Sequence, residues 1–140
     1  MPITTLDPKT SLVLIDLQKG IVSLPTAHPA ADVIERAASL AAAFRRRRLP
    51  VVLVNVVGAA PGRTDPQPAR AAPGPDWAEL VPQLDAQPGD IRVSKKTWGA
   101  FTGTGLEAQL RERGVTQIVL AGISTSIGVE STARQAQELG

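Results

Sequence analysis

Polar residues follow three apolar segments of this chain, and together they could carry out acid–base chemistry. Asp16 ends the first apolar segment, Lys95 ends another, and the turn Ser124–Gly128 follows the apolar run Ile118–Ala121. A carboxylate can transfer protons, a nearby lysine favours its ionised form, and the N–H groups that open a helix can bind an anion. Because the carboxyl ends of parallel strands share one edge of a sheet, we expect these groups to meet in one crevice.

Each of these residues also has a purely structural interpretation. Aspartates at strand ends often cap the next turn, and the neighbours Lys95 and Lys96 could both be solvated. Neighbouring residues of a strand point in opposite directions, so one lysine would face the crevice and the other would face solvent. Residues 117–134 alone fit any strand, loop and helix of an α/β protein, and the pattern leaves both interpretations open.

Few other residues could take part in chemistry. Trp98 and Phe101 belong to a small aromatic set of two Trp and two Phe, and they could wall an apolar pocket or pack in the core. His28 is the single histidine, and it lies in segment 18–29, whose two prolines predict a loop. An exposed loop histidine is at least as good an interpretation there as a catalytic one.

The apolar pattern predicts the elements that would position these residues. Strands are expected over residues 11–16, 50–57, 90–95 and 118–121, the last covered on both faces. Helices are expected over 30–47, over 104–114 with Thr104 and Gly114 as caps, and after the last strand, with Ser124, Thr125 or Ser126 as N-cap. This alternation indicates a three-layer α/β/α fold with a mostly parallel sheet.

The segment between the second and third strands is rich in glycine and proline. Residues 58–75 predict a long loop, which could be a functional lid or an interface arm. Residues 76–84 predict a short helix with Asp76 as its N-cap.

Composition excludes several classes of function. The 140 residues are 43% hydrophobic and 20% charged, which predicts one globular domain over 1–140. A net charge of +2 is too balanced for a nucleic-acid partner, so Arg45–Arg48 is expected to complement a helix dipole, with a nucleic-acid patch as the lesser alternative. The sequence has no cysteine and predicts no metal site, no cofactor, no membrane span and no signal peptide, which favours a cytoplasmic protein.

Three motifs, in order and suitably spaced, resemble those of the isochorismatase-like (cysteine hydrolase) superfamily. The first is an apolar run that ends in aspartate, SLVLIDLQKG. The second has a lysine, three residues, a small residue, then Ala and Phe before a Leu-rich helix, SKKTWGAFTGTGLEAQLRERGV. The third is the turn and helix AGISTSIGVESTARQAQELG. The similarity covers nearly the whole chain and implies the three-layer fold of that superfamily.

The resemblance implies catalytic roles for individual residues. Asp16 matches the family's catalytic aspartate, and Lys95, rather than its neighbour, has the family's spacing to Ala100-Phe101 and matches the catalytic lysine. Gly128 takes the position of the nucleophilic cysteine, so amide hydrolysis through a thioester is not expected. The metal motif of nicotinamidases is also missing, which agrees with the expectation of no metal.

The resemblance also implies how the last turn acts. The peptide bond Ile123–Ser124 is expected to be cis, and the turn 123–128 would aim backbone N–H groups at an oxyanion or another anion. The expected substrate-binding residues are Trp98, Phe101, Ile123, Ser124 and Thr125.

The leading hypothesis is an isochorismatase-family hydrolase of a small, cyclic or acidic metabolite that acts without a cysteine nucleophile. Family members that hydrolyse the vinyl ether of isochorismate similarly lack the cysteine, and their aspartate is thought to protonate the vinyl group before water adds. Burial would raise the pKa of Asp16 and Lys95 would lower it, and the sequence leaves that balance open.

The alternative is a catalytically inactive member that binds a small molecule or assembles into oligomers. The superfamily normally has further strands after the third motif, so we expect the last strand or strands to be missing and the domain to be C-terminally short. Such a sheet would expose an edge and an apolar face, which favours a homo-oligomer, a dimer or larger.

Overall fold

A four-stranded parallel sheet forms the centre of the computed structural model, which describes residues 5–62 and 73–140. Its strands are β1 (Thr10–Ile15), β2 (Val51–Val56), β3 (Ile91–Lys95) and β4 (Gln117–Gly122), in the spatial order β3-β2-β1-β4. All three neighbouring pairs are parallel, with Leu12 opposite Val51 and Val119 across β1. The predicted α/β fold with a parallel sheet is confirmed.

Helices cover both faces of this sheet. They are α1 (Lys19–Val22), α2 (Ala30–Arg46), α3 (Leu106–Glu112) and α4 (Glu130–Leu139). The buried residues of α2 recur three or four positions apart, so they form one apolar face that packs on the sheet: Ile34, Ala37, Ala41 and Phe44.

Alternating strand residues separate two core clusters. Leu12, Leu14 and Leu53 pack on one face with α2, whereas Val13 and Ile15 pack on the other with Leu106 and Leu110 of α3. Successive strand residues point to opposite faces, so each strand contributes to both clusters and lies between two helical layers.

Two connecting segments differ from the predictions. Residues 18–29 contain α1, because the N–H groups of Ile21 and Val22 donate to the Gln18 carbonyl, both at 3.0 Å. The predicted helix over 76–84 is wrong: only Pro82–Leu84 forms a 3₁₀ turn. The residue before a proline is disfavoured in helical geometry, and Val81 is extended at φ −65° and ψ 135°.

The 75–81 segment pairs with the chain after β1 instead of forming that helix. Leu80 forms an antiparallel bridge with Gln18, and the Val81 N–H donates to the Leu17 carbonyl at 3.0 Å. The carboxylate of Asp76 caps no helix and lies 3.1 Å from the Lys19 ammonium.

The predicted caps of α3 and α4 also need correction. Gly105, at φ 70°, is the N-cap of α3, although the Thr104 hydroxyl accepts a 3.3 Å hydrogen bond from the Leu106 N–H. The C-cap of α3 is Arg113 rather than the predicted Gly114, which comes directly after it at φ 66°, a left-handed geometry that glycine tolerates. A π-helical turn, Thr125–Val129, precedes α4, and its N-cap is Ser124, one of the three predicted candidates, although neither helical segment has a side-chain capping bond.

The last strand is less buried than the sequence predicts. Both faces of β4 contact the core clusters, yet each of its residues is only partly buried. Within residues 5–62 and 73–140, β4 pairs with β1 alone, which leaves its outer edge open. The predicted loop 58–75 falls largely outside the described residues. In the described parts, no helix is long and apolar enough to cross a membrane.

Candidate active site

Asp16 and Lys95 form a buried ion pair at the carboxyl edge of the sheet. Asp16 follows β1 directly, and Lys95 is the last residue of β3, so the lysine side chain extends across the end of the intervening β2. The Lys95 ammonium donates to Asp16 Oδ2 at 2.8 Å and to the Thr97 carbonyl at 3.1 Å. Asp16 is 6% exposed and Lys95 3%. The structure therefore brings together the two residues that the strand-end pattern singles out.

The alternation of buried and exposed residues along β3 shows which lysine faces the crevice. Ile91, Val93 and Lys95 are buried, whereas Arg92 and Ser94 between them are exposed. Lys95 continues the buried face by the period of two of a strand, and the following Lys96 is exposed.

Asp16 differs from an ordinary aspartate in backbone and environment. Its φ of 54° lies in the left-handed region, which aspartate tolerates better than most residues. Its Oδ1 atom is buried and has no hydrogen-bond partner among the described residues. Burial raises the pKa of Asp16 above its ordinary value of 3.8, and the hydrogen bond and charge of Lys95 offset this only in part. Burial therefore has the larger effect on the pKa of Asp16, a question that the sequence left open.

Gly128 brings the last turn against the ion pair. A Cβ atom on this buried glycine would lie 3.1 Å from Asp16 Oδ2 and 2.8 Å from Ile15 Cγ2. Such distances are shorter than ordinary carbon contacts, so a side chain here would require Ile15 to move. The peptide bond Ile123–Ser124 is cis, as the resemblance implies, and the Ile123 N–H donates to the Ile15 carbonyl at 3.0 Å.

Thr132 of α4 connects this turn to the loop after β3. Its hydroxyl donates to the Gly128 carbonyl at 2.6 Å and accepts from the Ala100 N–H at 3.1 Å, and its side chain is fully buried. Nearby, Gln135 accepts from the Phe101 N–H at 3.1 Å. The sequence analysis missed both residues. The available signal was the spacing of four between Gly128 and Thr132, at which a threonine hydroxyl can bond back to a carbonyl.

Comparison with known protein families shows which family the chain belongs to. A model of the isochorismatase domain matches residues 10–140. The chain is 47% identical to YwoC of Bacillus subtilis (strain 168), an uncharacterised isochorismatase family protein, over 94% of this chain and 72% of YwoC. The chain belongs to the isochorismatase family.

Solved structures agree with this assignment. An isochorismatase family protein from Burkholderia thailandensis superposes with a TM-score of 0.89 at 49% identity, over 98% of this chain and 76% of that one. N-carbamoylsarcosine amidase from Thermoplasma acidophilum superposes with a TM-score of 0.77 at 31% identity, over 91% and 75%. These relationships make the chain an isochorismatase-family hydrolase.

Gln18 is a second buried polar residue of this hydrolase that the sequence analysis missed. Its amide pairs with the end of β2 as a strand would, donating to the Val56 carbonyl at 3.0 Å and accepting from the Val56 N–H at 2.7 Å. It also donates to the Trp77 carbonyl at 3.2 Å. Gln18 therefore attaches the 75–81 segment beside the site. The only signal was a polar residue two positions after Asp16.

The other predicted site residues differ in how far they are buried. The Trp98 side chain is 71% exposed, and its carbonyl would lie 3.6 Å from a Cβ on Gly128. Phe101 and Ile123 pack into core clusters on opposite faces of the sheet. Ser124 is half-buried and Thr125 exposed. Their contacts with substrate stay predictions.

Metal ligands do not converge in the described parts of the chain. Residues 5–62 and 73–140 contain no group of three or more His, Cys, Asp or Glu that could hold a metal ion. His28 is exposed in the segment after α1.

Proposed function

We propose that this chain hydrolyses a small, cyclic or acidic metabolite without a cysteine nucleophile, by proton transfer from Asp16. The supporting observation is the asymmetry of this carboxyl group. Lys95 binds Oδ2, whereas Oδ1 is buried without a hydrogen-bond partner among the described residues. No group of the described chain therefore competes with a reacting group for this oxygen.

The raised pKa of Asp16 supports a role as general acid. A general acid must carry its proton at the working pH, and burial of Asp16 extends its protonated form to higher pH. After the proton leaves, the carboxylate gains the full attraction of the Lys95 ammonium at 2.8 Å. Lys95 would thus stabilise the charge that develops as Asp16 donates its proton.

Hydrolysis of an enol ether suits this arrangement. A proton from Asp16 would add to the vinyl methylene carbon and leave a cation on the carbon that bears the ether oxygen. Water would add to that cation and return a proton to the Asp16 carboxylate, and the resulting hemiketal would collapse to a ketone, which is pyruvate in the case of isochorismate, and an alcohol. This sequence requires no covalent enzyme intermediate, in agreement with glycine at position 128.

The turn 123–128 is the proposed anion site. The first N–H groups of a helical segment lack intrahelical partners, and Gly128 of the segment Thr125–Val129 lies against Asp16. A carboxylate of the substrate could bind these N–H groups while its vinyl group lies against Asp16. The exposed Trp98 indole would cover the ring of such a substrate.

The test is pyruvate release from isochorismate by the chain and by Asp16→Asn. We expect loss of about 10²–10⁴-fold in turnover, the usual contribution of a general acid. Asp85→Asn is a matched control, because Asp85 is exposed and, at φ 46°, shares the left-handed backbone of Asp16.

Full turnover in Asp16→Asn would refute the proposal. Nicotinamide and N-carbamoylsarcosine, offered as amide substrates, should not be hydrolysed. Failure of the wild-type chain on enol ethers, amides and esters alike would favour the alternative, a family member that binds ligands without catalysis.

A further inference from the structure

A basic cavity opens at the amino edge of the sheet, opposite the Asp16–Lys95 pair. Its volume is ≈ 670 Å³, within the usual size of a small-molecule site. The residues that precede or begin the strands line it, together with the C-terminal ends of α2 and α3. Nothing in the proposed hydrolysis uses this cavity.

Positive charge dominates the lining. It contains one carboxylate, Asp90, and five cationic side chains: Lys9, Arg45, Arg47, Arg48 and Arg113. Arg45 is neutralised by Asp90, whose carboxylate it binds at 2.6 and 3.1 Å. Within residues 5–62 and 73–140, the other four cations form no salt bridge.

Helix dipoles account for only part of this charge. The C-terminal ends of α2 and α3 face the cavity, and each carries about half a negative charge. Two such ends offset about one of the four cations that have no carboxylate partner. The remaining surplus requires solvent or a multiply charged anion.

The shape of the cavity favours a small molecule over a nucleic acid. Cationic residues line a recess, and among residues 5–62 and 73–140 no aromatic side chain that could stack on a base lines it. Arg45 is held in place by Asp90 and by two 3.2 Å hydrogen bonds to the Leu84 carbonyl, so part of the wall is rigid. Leu49, Pro50 and Val115 add half-buried apolar surface to the lining.

We infer that this cavity binds a multiply charged phosphate ligand, through Lys9, Arg47, Arg48 and Arg113. Guanidinium groups bind phosphate oxygens through paired hydrogen bonds, and three exposed arginines line this cavity; one of them, Arg113, also donates to the Gln109 carbonyl at 2.8 Å. The apolar wall accommodates the organic part of a nucleotide-sized ligand.

Calorimetric titration of the whole chain with ADP and with inorganic pyrophosphate tests this inference. We expect a dissociation constant below about 1 mM at low salt. The double variant Arg47→Gln/Arg113→Gln should weaken it at least about tenfold, and the control Arg36→Gln/Arg92→Gln should not, because both control positions are exposed and outside the cavity. Raising sodium chloride from about 50 mM to about 500 mM should weaken binding further.

The two ligands separate the sources of the phosphate. Tighter binding of ADP than of pyrophosphate would assign the apolar wall to an organic group, and equal binding would assign the cavity to inorganic phosphates. The inference is overturned if neither ligand binds, or if the double variant binds them as the wild type does. Salt-sensitive binding of duplex DNA that ADP cannot displace would also overturn it.

Discussion

Two buried aspartates lie at opposite edges of the sheet, and they are bonded in different ways. Asp90 precedes β3 at the amino edge, and its side chain is 4% exposed. Arg45 donates to both of its oxygens, and the Gln87 N–H donates to Oδ2 at 2.8 Å. Asp16 follows β1 at the carboxyl edge and has a single bonded oxygen, with Oδ1 left without a partner in the described residues.

This difference separates a structural carboxylate from one that is available for chemistry. A buried charge is stable when each oxygen has a partner, and Asp90 meets this condition within the chain. Asp16 does not, and its burial raises the pKa of the carboxyl group above the ordinary value, with Lys95 offsetting this only in part. The environment, rather than the residue type, therefore decides which aspartate is suited to acid catalysis.

The largest expected effect concerns the cation beside Asp16. Lys95→Met should lower the maximal turnover by about 10³-fold, because the carboxylate left by proton donation loses its counter-charge. The same change removes both influences that lower the pKa of Asp16, so the loss of activity at alkaline pH should move to higher pH. Turnover measured across pH checks both effects.

Lys96→Met is the control for this substitution, since Lys96 is the exposed neighbour. It should leave both the maximal turnover and the pH profile unchanged. A profile of Lys95→Met that moves to lower pH would contradict the general-acid assignment.

Removing the cation beside Asp90 should affect stability instead. Arg45→Met is expected to lower the free energy of unfolding by about 3 kcal/mol, because it leaves a buried carboxylate without its charge partner. Urea denaturation measures this loss, while turnover per folded molecule should stay as in the wild type. Arg134→Met is the control, because its ion pair with Glu130 is exposed and worth about 0.5 kcal/mol. Equal losses of unfolding free energy in Arg45→Met and Arg134→Met would contradict the structural role of the buried Asp90 pair.

The pH dependence of stability should also identify Asp16. Below its ordinary pKa of 3.8, Asp16 is protonated in both the folded and the unfolded chain. Between 3.8 and its raised folded pKa, only the folded chain holds the proton, so its contribution to the free energy of unfolding falls as pH rises. Above the folded pKa the contribution is constant.

The difference in unfolding free energy between the wild type and Asp16→Asn isolates this contribution, provided both are measured by denaturation across pH. We expect that difference to decrease through the stated window and then level off. A difference that increases with pH would mean that Lys95, rather than burial, dominates the pKa.

The proximity of Asp16 and Lys95 can be predicted from the sequence because it depends on simple strand geometry. Both residues end buried strands, and parallel strands place their carboxyl ends at one edge. The period of two along a strand predicts that only one of the two lysines faces the crevice, the resemblance to the family selects Lys95, and the buried face of β3 agrees with that choice. Both patterns involve only a few consecutive residues, so they can be recognised in a single sequence.

Contacts between distant segments could not be predicted in the same way. Arg45 was expected to complement a helix dipole, but it also binds Asp90, which is 45 residues away. The segment 76–84 has a helical pattern, yet Pro82 and the pairing of Leu80 and Val81 with residues 17–18 prevent an α-helix there. Tertiary hydrogen bonds outweighed local propensity there, and nothing in the local spacing reports them.

The smallest expected effect belongs to Thr132, which was not among the residues predicted from the sequence. Thr132→Val keeps the shape of the side chain but leaves the Gly128 carbonyl and the Ala100 N–H without their shared partner. We expect a loss of about 1–2 kcal/mol in unfolding free energy. Because Gly128 lies against Asp16, turnover should also fall several-fold while KM stays close to the wild-type value.

Ser131→Ala, the neighbouring position on α4, is the control for a general effect on that helix. A loss of stability with unchanged turnover would show that Thr132 supports the fold but does not position the turn that faces Asp16.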